Sequence, residues 1–172
     1  MWVTNGFKPP SIVNRSIGTK KAMFTVIWSP SGMKSITMLP QDMKFTKNYF
    51  TEVVFGDLQN HFKVHRSTRG GSGITIHIDN APSHRIDDYL IDNGFNRMEH
   101  PPYSPDLAPS DFFLFGYLKQ NLEGMYFNSF EELLEYVTRF LNSIPIELLH
   151  KVYLEWMERL QKCIDSGGEY VE

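Results

Sequence analysis

The chain has 172 residues and a net charge of −3, and 41% of its residues are hydrophobic and 22% charged. This length suits one compact domain, and the apolar fraction excludes a disordered chain. The sequence has no apolar stretch long enough to span a membrane and no secretory leader pattern, and its single cysteine, Cys163, excludes an internal disulfide framework. We therefore expect a single intracellular domain without membrane association.

Positive charge is concentrated in the first third of the chain. Residues 1–50 contain seven lysines and arginines and one acidic residue, Asp42, so they carry +6 while the remainder carries −9. Such a segment suits a polyanionic partner such as a nucleic acid, although dispersed charges also occur on ordinary solvated surfaces. The charge pattern leaves both interpretations open.

The first predicted elements are a hairpin and a helix. Residues 22–28 and 33–39 are rich in β-branched and aromatic side chains and are separated by a Ser-Pro-Ser-Gly cluster, which predicts two strands joined by a turn. Apolar residues then recur at helical spacing between Phe45 and Phe62, with Gly56 as a weak point. A helix is therefore expected after the hairpin.

A second group of elements follows a glycine-rich connection. Residues 74–79 alternate strictly, so the isoleucines share one face and Asp79 ends the strand on the other. Ser83 is expected to cap a helix over residues 84–92, and residues 95–99 are a further strand candidate. The order hairpin, helix, strand, helix, strand predicts the α/β class.

Proline controls the next segment. Residues 100–111 contain four prolines, which predicts a stiff extended loop that enters a helix at Asp111. Ser129 begins a capping box ahead of an amphipathic helix that reaches Ile144, and Pro145 opens a last helix that ends at a Gly-Gly pair. We expect these two helices to be packing elements.

Two aspartates are candidates for chemistry, because the sequence has no phosphate-binding loop, zinc-protease motif, dinucleotide fingerprint or nucleophile elbow. Asp79 lies at a strand exit and Asp111 at the end of the proline loop, and α/β proteins build sites in both places. Paired carboxylates suit Mg²⁺ or Mn²⁺, which can stabilise the attacking and leaving oxygens of phosphodiester displacement. The spacing also allows structural roles, with Asp79 capping a turn and Asp111 serving as a helix N-cap.

Two longer strings resemble the catalytic core of mariner-like transposases, members of the DDE/DDD superfamily. They are His-Ile-Asp-Asn-Ala-Pro-Ser-His at residues 77–84 and His-Pro-Pro-Tyr-Ser-Pro-Asp-Leu-Ala-Pro-Ser-Asp-Phe at residues 100–112. The resemblance extends over most of the chain and implies a ribonuclease-H-like fold, with a mixed sheet flanked by helices and with extra C-terminal helices. It implies a single, partial catalytic domain over residues 1–172 and no separate DNA-recognition domain.

The resemblance also assigns roles to individual residues. It implies that Asp79 and Asp111 are the second and third catalytic aspartates and metal ligands, whereas Asp106 is a loop residue that binds no metal. Asn80 and His84 match positions where an amide and an imidazole can contact DNA phosphate or orient a carboxylate. Further DNA contacts are expected from basic residues in the first third of the chain: Arg15, Lys20 and Lys21.

The sequence departs from the family pattern at the first catalytic aspartate. In the family that residue lies on a strand before the segment that Trp2 matches, and here no aspartate or glutamate precedes Asp42. Asp42 itself is expected at the start of the first helix, where a carboxylate stabilises the N-terminus. We therefore expect a fold that lacks its first strand, an incomplete two-ion site, and open strand edges that destabilise the chain or promote association unless another segment fills the gap.

The function implied by the resemblance is DNA cleavage at transposon ends, dependent on Mg²⁺ or Mn²⁺, followed by strand transfer and impaired here by the missing ligand. The implied partners are DNA and a second copy of the chain, with no small-molecule substrate, and the implied location in a eukaryote is the nucleus. Three alternatives stay open: a noncatalytic nucleic-acid-binding or assembly module derived from a transposase, a gene remnant without a biochemical role, and, by analogy of fold alone, a hydrolase acting on RNA.

Overall fold

The computed structural model describes residues 22–65 and 73–167 of the chain. Within the described part, no helix is long and apolar enough to cross a membrane. The strands are β1 (Phe24–Ser29), β2 (Gly32–Met38), β3 (Ile74–His77) and β4 (Phe95–Met98), and the α-helices are α1 (Lys47–Tyr49), α2 (Phe55–His65), α3 (Asp87–Asp92), α4 (Phe115–Leu122), α5 (Phe130–Asn142) and α6 (Ile146–Asp165).

The strands β1 and β2 form the antiparallel hairpin that the sequence predicts. Their pairing extends from Phe24 with Met38 to Ser29 with Gly32. Gly32 has a φ of 111°, a conformation that residues with a Cβ rarely adopt. Because side chains alternate along a strand, the hairpin serves two hydrophobic cores. Ile27 packs against the first core, and the second receives Phe24, Val26 and Trp28.

The first core is built on the helical run after the hairpin. Thr46 caps this run by accepting a hydrogen bond from the Tyr49 N–H (3.2 Å), and a π-helical turn at Phe50–Val54 joins α1 to α2 near Gly56. The predicted role of Asp42 at this N-terminus is wrong, because the first helical turn contains no acidic residue and Thr46 is the cap. The buried side chains of the core are Tyr49, Phe50, Val54, Phe55, Leu58, Phe62, Ile86, Leu90 and Phe95.

The strands β3 and β4 pair in parallel, from Ile74 with Phe95 to His77 with Met98. Helix α3 lies between them in sequence and begins later than predicted. Pro82–His84 form a single 3₁₀ turn, and α3 has no side-chain cap, so the predicted capping role of Ser83 is wrong. The physical reason lies in the following residues, because His84 bonds to Asp79 and Ile86 is fully buried in the first core.

The proline-rich segment leads into the second core. A 3₁₀ turn at Pro105–Leu107 and a π-helical turn at Ser110–Leu114 precede α4. Ser129 caps α5, as predicted, by accepting a hydrogen bond from the Glu132 N–H (3.1 Å). Helices α4, α5 and α6, the π turn and the connection between α5 and α6 then supply an aliphatic core: Leu114, Leu118, Val137, Leu141, Ile144 and Leu149.

The strands combine antiparallel and parallel pairing, divided over two separate two-stranded sheets, β1–β2 and β3–β4. The unpaired edges of β1 and β3 both line one cavity of about 640 Å³. Neither strand pairs with a further strand of the described residues. The described residues therefore have the α/β character predicted from the sequence, with their strands divided over two separate sheets.

Candidate active site

Asp79 lies directly beyond β3 and is held by its neighbours in the chain. Its Oδ1 accepts a hydrogen bond from the Ala81 N–H (3.0 Å) and also contacts Nδ1 of His84. The His84 ring is fixed in turn against the first core, where it stacks on Phe50 with ring centroids 4.5 Å apart. The carboxylate therefore does cap a turn, and it is oriented by an imidazole that the core holds in place.

The surroundings of Asp79 favour its charged form. Burial by itself would raise the pKa of the carboxyl, but the hydrogen bonds from His84 and Ala81 lower it. Electrostatic interactions with His84 and His100 act in the same direction, and the pKa of Asp79 lies below its ordinary value. The side chain keeps 56% of its surface exposed, so the remaining carboxylate oxygen is accessible to a ligand.

Asp111 reaches the site from the π-helical turn. It is exposed and lies within the first turn after Pro109, which is the N-cap residue, so an N-cap role for Asp111 is wrong. Burial, and then the negative charge of Asp79, raise the pKa of the Asp111 carboxyl, while His100 acts in the opposite direction. The structure therefore brings Asp79 and Asp111 close enough for their charges to repel.

Two tryptophans fix the segment that precedes Asp111. The indole N–H of Trp156, on α6, donates to the Leu107 carbonyl (2.8 Å), and the indole N–H of Trp28, on β1, donates to Oγ of Ser110 (3.1 Å). Arg159, one turn after Trp156, donates to the Asp106 carbonyl (3.3 Å). The C-terminal helix therefore positions the proline loop, in addition to packing.

A histidine pair links the two acidic segments. His77 and His100 share a hydrogen bond between Nε2 and Nδ1 (3.1 Å), and the His77 ring packs on Trp156 with centroids 5.0 Å apart. Burial, and then the charge of His100, lower the pKa of His77 to about 4, against the opposing effect of Asp79. His77 is therefore neutral at pH 7. The Asn80 side-chain amide donates to the His100 carbonyl (2.6 Å), which ties the two strand exits together.

Arg97 on β4 braces the turn beyond Asp79. Its guanidinium donates to the carbonyls of His84 (3.2 Å) and Asp79 (3.1 Å) and forms an ion pair with Asp87. Sequence reasoning did not select Arg97, His100, Trp28 or Trp156. The position of His100 at the exit of a neighbouring strand was a usable signal, whereas the tryptophans have the pattern of ordinary core residues.

The two carboxylates line both the 640 Å³ cavity and an adjoining cleft of about 520 Å³. Carboxylate oxygens suit a hard divalent cation, and because burial and then the charge of Asp79 raise the pKa of Asp111, a cation in the cleft would stabilise its charged form. In residues 22–65 and 73–167, no group of three or more histidine, cysteine or acidic side chains is arranged to hold a metal. The predicted DNA contacts Arg15, Lys20 and Lys21 lie outside the described residues.

Comparison with known proteins indicates an evolutionary relationship. No protein-family model matches the chain. The mariner Mos1 transposase of Drosophila mauritiana is 30% identical over 160 residues, which cover 89% of this chain and 46% of the relative. The chain is homologous to mariner transposases. The human histone-lysine N-methyltransferase SETMAR is a second relative, 24% identical over 99% of this chain and 25% of its own length.

Solved mariner structures share the fold. The Mos1 paired-end complex with the left transposon end superposes with a TM-score of 0.85 at 26% identity, over 100% of this chain and 51% of that one. The Mos1 catalytic domain with raltegravir and Mn gives a TM-score of 0.80 at 28% identity, over 89% of this chain and 78% of the domain. The predicted ribonuclease-H-like fold and mariner relationship are therefore confirmed. The chain spans less than half the length of the curated relatives that it matches.

Proposed function

We propose that the chain is a transposase catalytic domain in which Asp79 and Asp111 hold Mg²⁺ or Mn²⁺ for cleavage and strand transfer of DNA at transposon ends. The observation that carries this proposal is the convergence of the two carboxylates on one cleft, where burial and then the charge of Asp79 raise the pKa of Asp111. When bound, the divalent metal supplies electrostatic stabilisation of the attacking and leaving oxygens.

The protein residues around the carboxylates keep them in place for this chemistry. His84 and the Ala81 N–H orient Asp79, and Asn80 joins the turn to His100. Because catalysis depends on accurate positioning, these bonds support placing both Asn80 and His84 in the site. Direct contact of Asn80, His84, Arg15, Lys20 and Lys21 with DNA stays a prediction.

We further propose that this chain has impaired catalysis on its own. No acidic residue precedes Asp42 in the sequence, and the described residues contribute two carboxylates to the cleft. In the part of the chain that the structure describes, the unpaired edges of β1 and β3 line one cavity together with Asp79. A strand added there would satisfy both edges and could bring a third carboxylate to the site.

The homologous structures support DNA and a divalent metal as the binding partners. The Mos1 structures include a complex with a transposon end and catalytic domains with Mn and with Mg. Action as a homodimer on paired ends and a nuclear location are part of the same proposal.

Metal binding provides the first test of the carboxylates. We expect Mn²⁺ to bind the wild-type chain, as measured by electron paramagnetic resonance of the free ion. Asp79→Asn and Asp111→Asn should each weaken binding by at least 10-fold, because each removes one charged ligand. Asp88→Asn, an exposed aspartate on α3, is the matched control and should leave affinity unchanged. Equal affinity in all four proteins would refute the assignment.

DNA cleavage distinguishes the two functional candidates. We expect little cleavage by the chain itself and metal-dependent cleavage once a strand-forming segment with an aspartate is fused before Trp2, with activity lost in Asp79→Ala or Asp111→Ala. Cleavage retained in either variant would overturn the proposal. Salt-sensitive DNA binding without cleavage in every form would instead favour the noncatalytic binding module.

A further inference from the structure

The cleft beside the carboxylates has an outer wall that the proposed metal chemistry does not use. This wall includes Arg85, Pro102 and Tyr103, which line the cleft together with Asp79 and Asn80. The cleft has a volume of about 520 Å³, which falls in the range of small-ligand sites, about 300–1,000 Å³. The cleft is therefore large enough to receive one monomer unit of a polymer substrate.

Tyr103 is the unusual residue in this wall. Its φ is 56°, the only positive value of a non-glycine residue in the described ranges, and 99% of its side chain is exposed. A left-handed backbone is unfavourable for a bulky residue, and no burial of the ring offsets it. The conformation therefore presents an aromatic ring to solvent at an energetic cost, a pattern that is frequent at functional sites.

The backbone on both sides of this ring is restrained. Prolines precede Tyr103 at positions 101 and 102 and follow it at 105, and each fixes its own φ. The Ser104 hydroxyl donates to the Pro102 carbonyl (3.1 Å), and the Leu107 N–H donates to the Ser104 carbonyl (3.0 Å). A restrained backbone at Tyr103 lowers the conformational entropy that the loop loses when a ligand stacks on the ring.

Arg85 supplies the complementary charge. It is exposed, and among the described residues its guanidinium has no hydrogen-bond or ion-pair partner. A free guanidinium pairs well with phosphate, and an exposed aromatic face stacks on nucleobases. Together the two side chains match the two chemical parts of a nucleotide.

We propose that Tyr103 stacks on an unpaired nucleobase of the DNA strand whose phosphodiester lies at Asp79 and Asp111, while Arg85 contacts a neighbouring phosphate. This inference rests on the proposed function, because it takes DNA as the substrate of the same cleft. It adds that the substrate strand is frayed or single-stranded beside the reacting phosphate, since a base must leave its own stack to meet the ring.

The test uses DNA duplexes with a frayed end that carries 2-aminopurine, bound to the full chain in Ca²⁺, which supports binding without requiring turnover. We expect 2-aminopurine quenching with the wild-type chain and with Tyr103→Phe. Tyr103→Ala should lose the quenching and bind about 5- to 150-fold more weakly, the range expected for one base stack. Tyr126→Ala is the matched control, because Tyr126 is 80% exposed in a loop away from the cleft.

A glycine variant separates ligand binding from folding. Tyr103→Gly should raise the melting temperature, because glycine accepts a positive φ, and should still lose quenching and affinity. Salt-sensitive DNA binding that is identical in wild type and Tyr103→Ala would overturn the stacking proposal and leave the proposed function standing. Absence of DNA binding by the wild-type chain would overturn both. A change in self-association without a change in DNA affinity would identify the ring as a contact between copies and also overturn the proposal.

Discussion

Asp79 and Asp111 reach the same cleft from regions that hold them differently. Asp79 is fixed by bonds to its own carboxylate, from His84 and the Ala81 N–H. Asp111 is positioned through its backbone, because Trp156 and Trp28 bond to Leu107 and Ser110 just before it. The hydrogen bonds to Asp79 outweigh its burial and lower its pKa, whereas burial and then the charge of Asp79 raise the pKa of Asp111.

The comparison shows a division of electrostatic roles. The charge of Asp79 is compensated within the protein, whereas that of Asp111 is opposed by burial and by Asp79. A cation in the cleft would therefore stabilise the charge of Asp111 more than that of Asp79, because the protein itself stabilises the Asp111 charge less. The two supports also differ in origin, since an aromatic core backs Asp79 and a long C-terminal helix backs Asp111.

The substitution with the largest expected effect removes the aromatic ring that holds His84 beside Asp79. Phe50 is 2% exposed and stacks on His84, so Phe50→Ala should lower the free energy of unfolding by about 3–5 kcal/mol. Urea denaturation measures this loss, and Phe50→Leu should lose less. The control is Val53→Ala in the same π turn, where the side chain is 42% exposed. A loss in Phe50→Ala no larger than in the control would show that His84 does not depend on the core.

The next largest effect is expected from removing a hydrogen bond that holds the loop before Asp111. Trp156→Phe keeps an aromatic ring near His77 but removes the donor to the Leu107 carbonyl, which should cost about 1–3 kcal/mol. Hydrogen exchange should quicken at the amides of Asp111 and Phe112, which bond to the Ala108 carbonyl. Trp28→Phe should cost less, because the Ser110 hydroxyl can rotate toward water. Unchanged exchange in Trp156→Phe would show that the indole does not position the loop.

Neutralising Asp79 and neutralising Asp111 should change the melting temperature in opposite directions at pH 7. Asp79→Asn should lower the melting temperature, because it removes a charge that the surroundings stabilise. Asp111→Asn should raise it, because it removes a charge that they oppose. Each substitution should change the free energy of unfolding by at most about 1 kcal/mol, because both side chains are partly exposed. Shifts of the same sign in differential scanning calorimetry would contradict the assigned electrostatics.

The pH dependence sharpens this difference. A raised pKa in the folded state means that protonated Asp111 stabilises the fold at low pH, and this contribution disappears as the pH rises through the folded-state value. The higher stability of Asp111→Asn relative to wild type should therefore be present at pH 7 and vanish below about pH 4. For Asp79 the lowered pKa gives stability at neutral pH that is lost on acidification. Melting curves from pH 3 to pH 7 measure both trends.

The smallest expected effect concerns the second contact of α6. The Arg159 guanidinium lies 4.3 Å from the centroid of the Phe112 ring, so Arg159→Lys should cost about 0.5–1 kcal/mol in unfolding free energy. Chemical denaturation of Arg159→Lys and of Lys151→Arg, an exposed change elsewhere on α6, provides the matched pair. A larger loss than in Trp156→Phe would make the arginine the main anchor of the loop.

Much of this architecture could be predicted because its signals are local. Alternation over residues 74–79 predicted β3, which ends at His77, two residues before Asp79, and the Ser129 cap fixed the start of α5. The start of α3 was wrong, because the burial of Ile86 and the bond from His84 to Asp79 outweighed the capping preference of Ser83. These competing contacts cross several residues and leave no periodic pattern.

The sequence by itself determined the mariner relationship, the two acidic positions and the order of the elements, since motifs, periodicity and proline act within short segments. Only the tertiary structure decided how the acidic positions are held. The indole bonds to the proline loop span 49 residues from Leu107 to Trp156 and 82 from Trp28 to Ser110. Such contacts depend on how the cores pack, and among residues 22–65 and 73–167 the same packing leaves the edges of β1 and β3 unpaired and the ring of Tyr103 exposed.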